Sequence, residues 1–229
     1  MLNGIIFKQA LISGANNIVN HRQEVDALNV FPVPDGDTGT NMSMTISAAA
    51  RELQVCEQTD IASVSAKAAA ALLRGARGNS GVILSLIFRG ISNGFKGMDS
   101  ADGKALAKAL ELGKESAYKA VMKPTEGTIL TVIRMAAEAV KNTQETDCKV
   151  VLKSAYEAAK DALLKTPEML PVLKQAGVVD AGGQGFIFIL EGMLSVIEDG
   201  KTVEPIETLD KKDNAKSDKS VVAAGSGGI

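Results

Sequence analysis

Apolar residues recur three and four positions apart through most of the first 200 residues, and short polar stretches separate these runs. Such spacing gathers apolar side chains on one stripe of a 3.6-residue helix. The first run predicts a helix over about 2–20, with a short extension ending at Leu28. A second is expected from about Thr40 to residue 54. Asp60 is placed to cap a third, IASVSAKAAAALLRG, which ends at Gly75. The fourth starts near Asn79 and carries GVILSLIFRGI. Ser100 opens a fifth, in which Leu106, Leu110, Gly113, Ala117 and Val121 keep helical spacing. The sixth starts near Gly127 with TILTVIRMAAEAV, and Asp147 caps a seventh with Val151, Ala155, Ala158 and Ala162 on one face. In TPEMLPVLKQAG, Thr166 as cap and Pro167 at the first helical position predict a short helix. GFIFILEGMLSVIE, residues 185–198, is the eighth long helix; its length decides against the buried strand that FIFIL alone would allow. No alternating strand pattern or hairpin signal precedes residue 200, so the expected class is all-α.

The loops carry the next signal. DGDTGTN (35–41), RGARGNSG (74–81), KPTEGT (123–128) and VVDAGGQG (178–185) lie immediately before the second, fourth, sixth and eighth helices. The intervening connections, QVCEQTD, NGFKGMDS and KNTQETD, are ordinary polar turns. Short connections favour antiparallel neighbours, so alternate loops fall at the same end of the bundle. Four helix N-termini would then converge there. Their unpaired N–H groups and partial positive charge suit phosphates.

Composition narrows the partners. The chain has 229 residues, 45% hydrophobic but only 3% aromatic with no Trp, which favours close-packed helices over an aromatic β core. The net charge of −2 shows no basic surplus of the kind nucleic acid selects. Cys56 and Cys148 are far apart, without metal-type spacing, and read as structural thiols in a reducing cytoplasm. The N-terminal run is broken by Lys8 and Gln9 and reads as an amphipathic helix, not a signal peptide; no apolar run is expected to span a bilayer. His21, the only histidine, falls at a helix end, where it is expected to be exposed; no triad can be built on it. Met42 and Met44 are expected in the core. After Glu198 the chain becomes charged and apolar-poor, then enters SVVAAGSGGI. The expected division is one domain over 1–200, then a linker and the start of a possible second domain over 201–229.

Asp35 and Asp37 stand one residue apart in NVFPVPDGDTGTN, a loop stiffened by two prolines. A cation relieves their repulsion, and paired oxygen ligands without His or Cys suit Mg²⁺ or Ca²⁺ rather than zinc. An EF-hand is a poor match: Gly39, Thr40 and Ile46 would stand at its fifth, sixth and twelfth positions. No glycine-rich stretch ends in GK[ST], so a P-loop is absent. What remains is Mg²⁺ held by carboxylates and nucleotide phosphates. Taken singly, each loop has a plainer explanation. DGDTG is a turn, GARGNSG a helix end followed by an Asn cap, and Thr125, Thr128 and Asp180 are caps.

NVFPVPDGDTGTNM, GARGNSGVILS, PTEGTILTVI and VDAGGQGF, in this order, resemble the DhaL-like domain, the ATP-binding half of dihydroxyacetone kinases. DGDTG, with Thr38 where those kinases have His, looks most like the N-terminal ATP-binding domain of the bacterial fatty acid kinases. The resemblance covers about residues 1–200. It implies an eight-helix antiparallel up-down barrel with ATP and two Mg²⁺ ions at one end. Metal ligands carried over by motif are Asp35, Asp37 and Asn29, with Asp26 as the alternative for the third. Asp35 and Asp37 are also the implied catalytic pair. Thr38, Thr40 and Asn41 would touch phosphate or ribose; Asn79, Ser80 and Gly81 would cradle phosphate. Glu126, Gly127 and Thr128, with Asp180, Ala181 and Gly182, would line the nucleotide pocket. The implied activity is γ-phosphate transfer to a fatty-acid carboxylate presented by a separate lipid-binding carrier protein, with no nucleic acid and no stable membrane insertion. Two alternatives stay open: a nucleotide-binding module inactive without further domains, and a dihydroxyacetone-type kinase subunit, which Thr38 disfavours.

Overall fold

The computed structural model describes residues 1–206; most of the expected linker and the start of a second domain, 207–229, lie outside the described residues. Among the described residues, eight long helices dominate: α1 (Gly4–Asn20), α3 (Thr38–Gln54), α4 (Ile61–Arg74), α5 (Gly78–Gly94), α6 (Gly103–Ala120), α7 (Ile129–Val140), α8 (Cys148–Met169) and α10 (Ala181–Asp199). Two short helices, α2 (Arg22–Ala27) and α9 (Pro171–Ala176), sit in connections.

Each long helix packs on its neighbour in sequence, and α10 returns to α1, closing a ring. The two tightest seams use glycine at the crossing. A Cβ on Gly90 of α5 would collide with the Leu112 carbonyl of α6. One on Gly192 of α10 would lie 2.5 Å from the Ser13 carbonyl of α1. Small residues there let backbones approach directly, while Phe95, Phe186, Leu11 and Ile133 fill the interior with no exposed surface beyond 1%.

Several local expectations change. Thr166 and Pro167 do not start a helix; both lie within α8, which continues to Met169. Pro167 has no N–H for the Leu163 carbonyl, and the Thr166 hydroxyl donates to that carbonyl instead, at 2.7 Å. The break falls at Leu170, and Pro171 takes the first position of α9. Asp102, not Ser100, caps α6 through the Ala105 N–H. Ser100 instead belongs to a two-residue antiparallel bridge, β1 (Leu2–Asn3) with β2 (Ser100–Ala101), too short to leave a periodic signal. Met42 is core, but Met44, two positions further round α3, is turned outward and half-exposed. His21 is not free in solvent: its ring stacks on Phe188 at 4.1 Å and its Nδ1 meets the Asn17 carbonyl oxygen at 2.8 Å. Both cysteines are buried and unpaired. By length and composition, α10 alone among the described helices passes as a membrane span, yet 72% of that stretch is buried inside the fold.

Candidate functional site

The loops before α3, α5, α7 and α10 line one cleft of about 740 Å³. Asn29, Asp35, Asp37, Thr38 and Asn41 come from the first loop and the start of α3. Asn79 and Ser80 come from the second, Thr128 from the third, and Asp180 and Gly182 from the fourth. Phe31, Ile83, Leu86 and Val121 add an apolar wall that the loop motifs gave no reason to expect.

The first loop is organised from behind. Buried Asn29 donates to the Val33 carbonyl at 3.2 Å and to Asp35 Oδ1 at 2.6 Å, and its own Oδ1 accepts from the Thr38 hydroxyl at 2.8 Å. Asp37 stands at the N-cap position of α3, but its carboxylate makes no capping bond. Asp26 caps the helix in its place: Oδ1 accepts from the Thr40 N–H at 2.9 Å and Oδ2 from the Thr40 hydroxyl at 2.7 Å. Asp26 and Thr40 therefore satisfy each other and do not line the cleft. This exchange of caps leaves the Asp37 carboxylate free to face the cleft with exposed Asp35. Neither carboxylate has a Lys or Arg ion-pair partner among the described residues. No group of three His, Cys, Asp or Glu side chains is gathered as a metal site among them either. The oxygen donors available are thus two carboxylates beside an amide, a hard set that suits Mg²⁺ when phosphate oxygens complete it.

The second loop is fixed against α3. Gly78 has φ +59 and lies on the Asn41 amide, so a Cβ there would sit 2.5 Å from Nδ2. Gly81 does not reach the cleft; it is buried against the Thr45 hydroxyl. Thr45 belongs to none of the loop motifs. It donates to the Asn41 carbonyl at 2.7 Å and accepts from the Arg77 N–H at 3.0 Å, clamping two cleft loops together. Its one visible signal is a hydroxyl one turn after Asn41 on a helix that otherwise buries Met42, Ile46 and Ala49.

In the third loop Glu126 turns away from the cleft. It accepts from Tyr118 at 3.0 Å, from the Thr131 hydroxyl at 2.5 Å and from Arg134 at 2.9 Å. Burial works to raise its pKa, but those donors and the Arg134 charge outweigh it and hold the carboxyl below its ordinary value. Tyr118 is pushed up to about 12 by burial and by the carboxylate it faces. Gly127 has φ +83 and a Thr166–Leu170 wall 3.0 Å from where a Cβ would stand; its N–H donates to Thr131. Thr128 caps α7, accepting from the Leu130 N–H at 3.3 Å. Thus Thr128 faces the cleft, while Glu126 and Gly127 shape the loop from outside.

Asp180 caps α10, accepting from the Gly183 N–H at 2.7 Å, and its own N–H donates to Thr166 at 3.1 Å. Only 6% exposed, it is pushed up to about 6 by burial, against the lowering effect of the Gly183 and Ile129 N–H groups. Ala181 is buried behind it, and Gly182 faces the cleft.

Residues 32–195 match the DAK2 domain family. Protein YloV of Bacillus subtilis (strain 168) is 45% identical over 218 residues, covering 94% of this chain and 39% of YloV. An uncharacterized protein of Staphylococcus aureus (strain bovine RF122 / ET3-1), SAB1090, is 43% identical over 212 residues, covering 92% of this chain and 39% of its own. The chain therefore spans about two-fifths of these relatives. Among solved structures, the dihydroxyacetone kinase from C. freundii in complex with AMP-PNP and Mg²⁺ superposes with a TM-score of 0.61 at 18% identity, over 83% of this chain and 33% of that one. Its native form gives 0.56 at 19% identity. At that identity the likeness speaks for the fold, the all-α arrangement described above. The chain belongs to the DAK2 domain family.

Proposed function

We propose that this chain is the ATP-binding domain of a kinase. The observation that carries the reading is the meeting of four glycine-rich, helix-opening loops in one cleft, with the Asp35 and Asp37 carboxylates in no ion pair among the described residues. A cleft of about 740 Å³ lies within the usual size range of small-molecule sites, about 300–1,000 Å³. The solved structure of like fold, crystallised with AMP-PNP and Mg²⁺, supports the same ligand pair.

In this reading Asp35 and Asp37, helped by Asn29, hold Mg²⁺, in two ions by the family resemblance. Bound there, Mg²⁺ would supply positive charge to offset that of the phosphates. Asn41 on α3 and Asn79 and Ser80 on α5 present donors to the phosphates at two helix N-termini, joined by the backbone N–H of Thr38, whose hydroxyl is given to Asn29. The apolar wall of Phe31, Ile83, Leu86 and Val121 suits a nucleobase. Asp180 stiffens the junction of α7 and α10 beneath the site. The chain's contribution is positioning and charge compensation, the terms that dominate phosphoryl transfer.

The acceptor we assign is a fatty-acid carboxylate delivered by a separate lipid-binding protein. An alkyl chain exposed to water is unfavourable, so delivery by a protein that buries it is physically sensible. A cytoplasmic location follows from that reading. A second reading is favoured by the chain's coverage of only 39% of its relatives: a nucleotide-binding module that needs other domains for chemistry. Thermal unfolding with and without Mg·ATP tests what both share. Ligand bound to the native state alone stabilises by about 2.7 kcal/mol at one hundred times Kd. An unchanged Tm at millimolar Mg·ATP would remove both readings.

A further inference from the structure

A second concavity, about 620 Å³, runs along α3 and shares no lining residue with the nucleotide cleft. Its lining includes Arg22 at the start of α2, Arg51 near the end of α3, and Arg77 just before α5. Among the described residues no Asp or Glu lines it, in a chain whose net charge is −2. Among the described residues none of these three guanidinium groups has an ion pair or a side-chain hydrogen bond, whereas neighbouring Arg74 is paired with Glu52 at 2.5 Å. All three are exposed, and among the described residues no counter-charge faces them, so the concavity carries a positive potential that favours an anion.

The backbone under these arginines is held in place. Gly39 on α3 lies directly against the Arg22 carbonyl, and a Cβ there would collide with it. Gly75 lies on Ala48, whose Cβ would be 2.5 Å from a Cβ at Gly75. The Arg77 N–H is tied to Thr45 at 3.0 Å. The far wall is the segment leaving α10. Val203 accepts from Asn16 at 2.8 Å and donates to Ser13 at 2.9 Å; Glu204 accepts from Asn20 at 3.0 Å. The Ile206 N–H returns to Asn20 at 3.1 Å. Those bonds set Pro205 and half-exposed Ile206 opposite half-exposed Met44.

We propose that this groove is a second ligand site, separate from the nucleotide cleft, for a phosphate monoester carried on an apolar body. Guanidinium forks match phosphate oxygens bidentately, and three of them answer a dianion better than a single carboxylate. Ser47 and Gln23 add neutral donors, while Met44, Pro205 and Ile206 offer apolar cover to the body. The chemistry fits either a soluble phosphate monoester or a lipid headgroup of the same kind. The site is built independently of the nucleotide reading, since it shares no lining residue with the cleft.

Isothermal titration calorimetry of the full chain with octyl phosphate, below its micelle concentration, is the test. Mg·AMP-PNP is present at saturation so that the cleft does not compete. Binding is expected to be at least tenfold tighter than for inorganic phosphate, and to weaken at least tenfold in Arg22→Gln/Arg51→Gln. The Mg·ATP thermal shift of that variant is expected to stay native, which also reports its folding. Sedimentation with phosphatidylcholine vesicles, with and without phosphatidic acid, separates the sources. Arginine-dependent co-sedimentation assigns a lipid headgroup, and octyl phosphate binding without it assigns a soluble ligand. No heat at millimolar octyl phosphate, equal affinity for inorganic phosphate, unchanged affinity in the arginine variant, or complete displacement by Mg·AMP-PNP would each overturn the proposal. If Mg·ATP fails to bind while the arginine-dependent site persists, the cleft reading alone is lost.

Discussion

Replacing Asp180 by Asn should make the protein more stable at pH 8 and remove a pH dependence that the native chain carries. The native carboxyl is buried and pushed up to about 6 from an ordinary 3.8, chiefly by that burial. Because the folded value lies above the unfolded one, the native state holds the extra proton between them. Stability conferred by the protonated form is complete below about pH 3.8 and is lost as pH rises through about 6. At about 1.4 kcal/mol per pH unit, a gap of about 2.2 gives a loss of about 3 kcal/mol across that window. Asn keeps an acceptor oxygen for the Gly183 N–H and is as good a cap, but never ionises. Urea unfolding followed by far-UV circular dichroism, at intervals from pH 4 to 8, measures both proteins. The useful quantity is the difference between them, because every other carboxylate is common to both and cancels. The variant is expected to gain about 2–3 kcal/mol on the native chain between pH 4 and 8. Parallel stability curves over that range would refute the assignment of a buried, neutral-favouring site at the base of the cleft.

Asp35→Ala or Asp37→Ala should abolish Mg²⁺-dependent nucleotide binding with the helical circular dichroism unchanged; wild-type phosphoryl transfer in either variant would end the metal-ligand assignment. Asp26→Ala removes both capping bonds to Thr40 and should lower stability by about 1 kcal/mol in urea, with little loss if Asp37 swings in as a substitute cap. Thr166→Val strands the Leu163 carbonyl and the Asp180 N–H inside the fold and should cost about 2 kcal/mol; an unchanged urea midpoint would contradict the bridging role. With radiolabelled ATP and free oleate, this chain should form acyl phosphate far more slowly than the same chain supplied with a lipid-binding carrier, and equal rates would sink the carrier requirement.

The helices are legible in the sequence because their apolar stripes are long and their caps are local. Asp60, Asp147 and Asp180 all cap where the sequence places them, through the N–H groups of Ser63, Lys149 and Gly183. The convergence of loops is legible for a topological reason: short connections alternate ends, and the special loops occupy every second connection. What sequence could not supply was the direction of a side chain whose partner is distant along the chain. Asp26 is 14 residues from Thr40, and nothing local says that it caps α3. Glu126 looks like a cleft residue by position in its motif, but Tyr118 and Arg134 each lie 8 residues away and draw it outward. At α8 the competing principle is proline chemistry. Pro at a first turn is the common case, and only the Thr166 hydroxyl at the Leu163 carbonyl makes an interior position tolerable here.

The displaced roles share one logic. A loop that must offer charged side chains to a ligand cannot also commit them to its own backbone. Capping α3 with Asp37 would have tied up one of the two carboxylates facing the cleft, and a carboxylate bonded to N–H groups is a poorer partner for a cation. Placing the cap on Asp26, a helix away, satisfies the first turn of α3 from its outer side. Asn29 acts in parallel, bonding Asp35 at only one oxygen and fixing Thr38 from below. Thr45 and Thr166 do the same for the second and fourth loops, using hydroxyls that line no part of the cleft. The rigid shell is thus assembled from residues outside the DGDTG, GNSG and DAGG motifs. The motif carboxylates keep free bonding capacity because other side chains satisfy the backbone groups around them, and substitutions at Asp26, Thr45 or Thr166, which line no part of the cleft, should therefore weaken ligand binding through the fold rather than through lost ligand contacts.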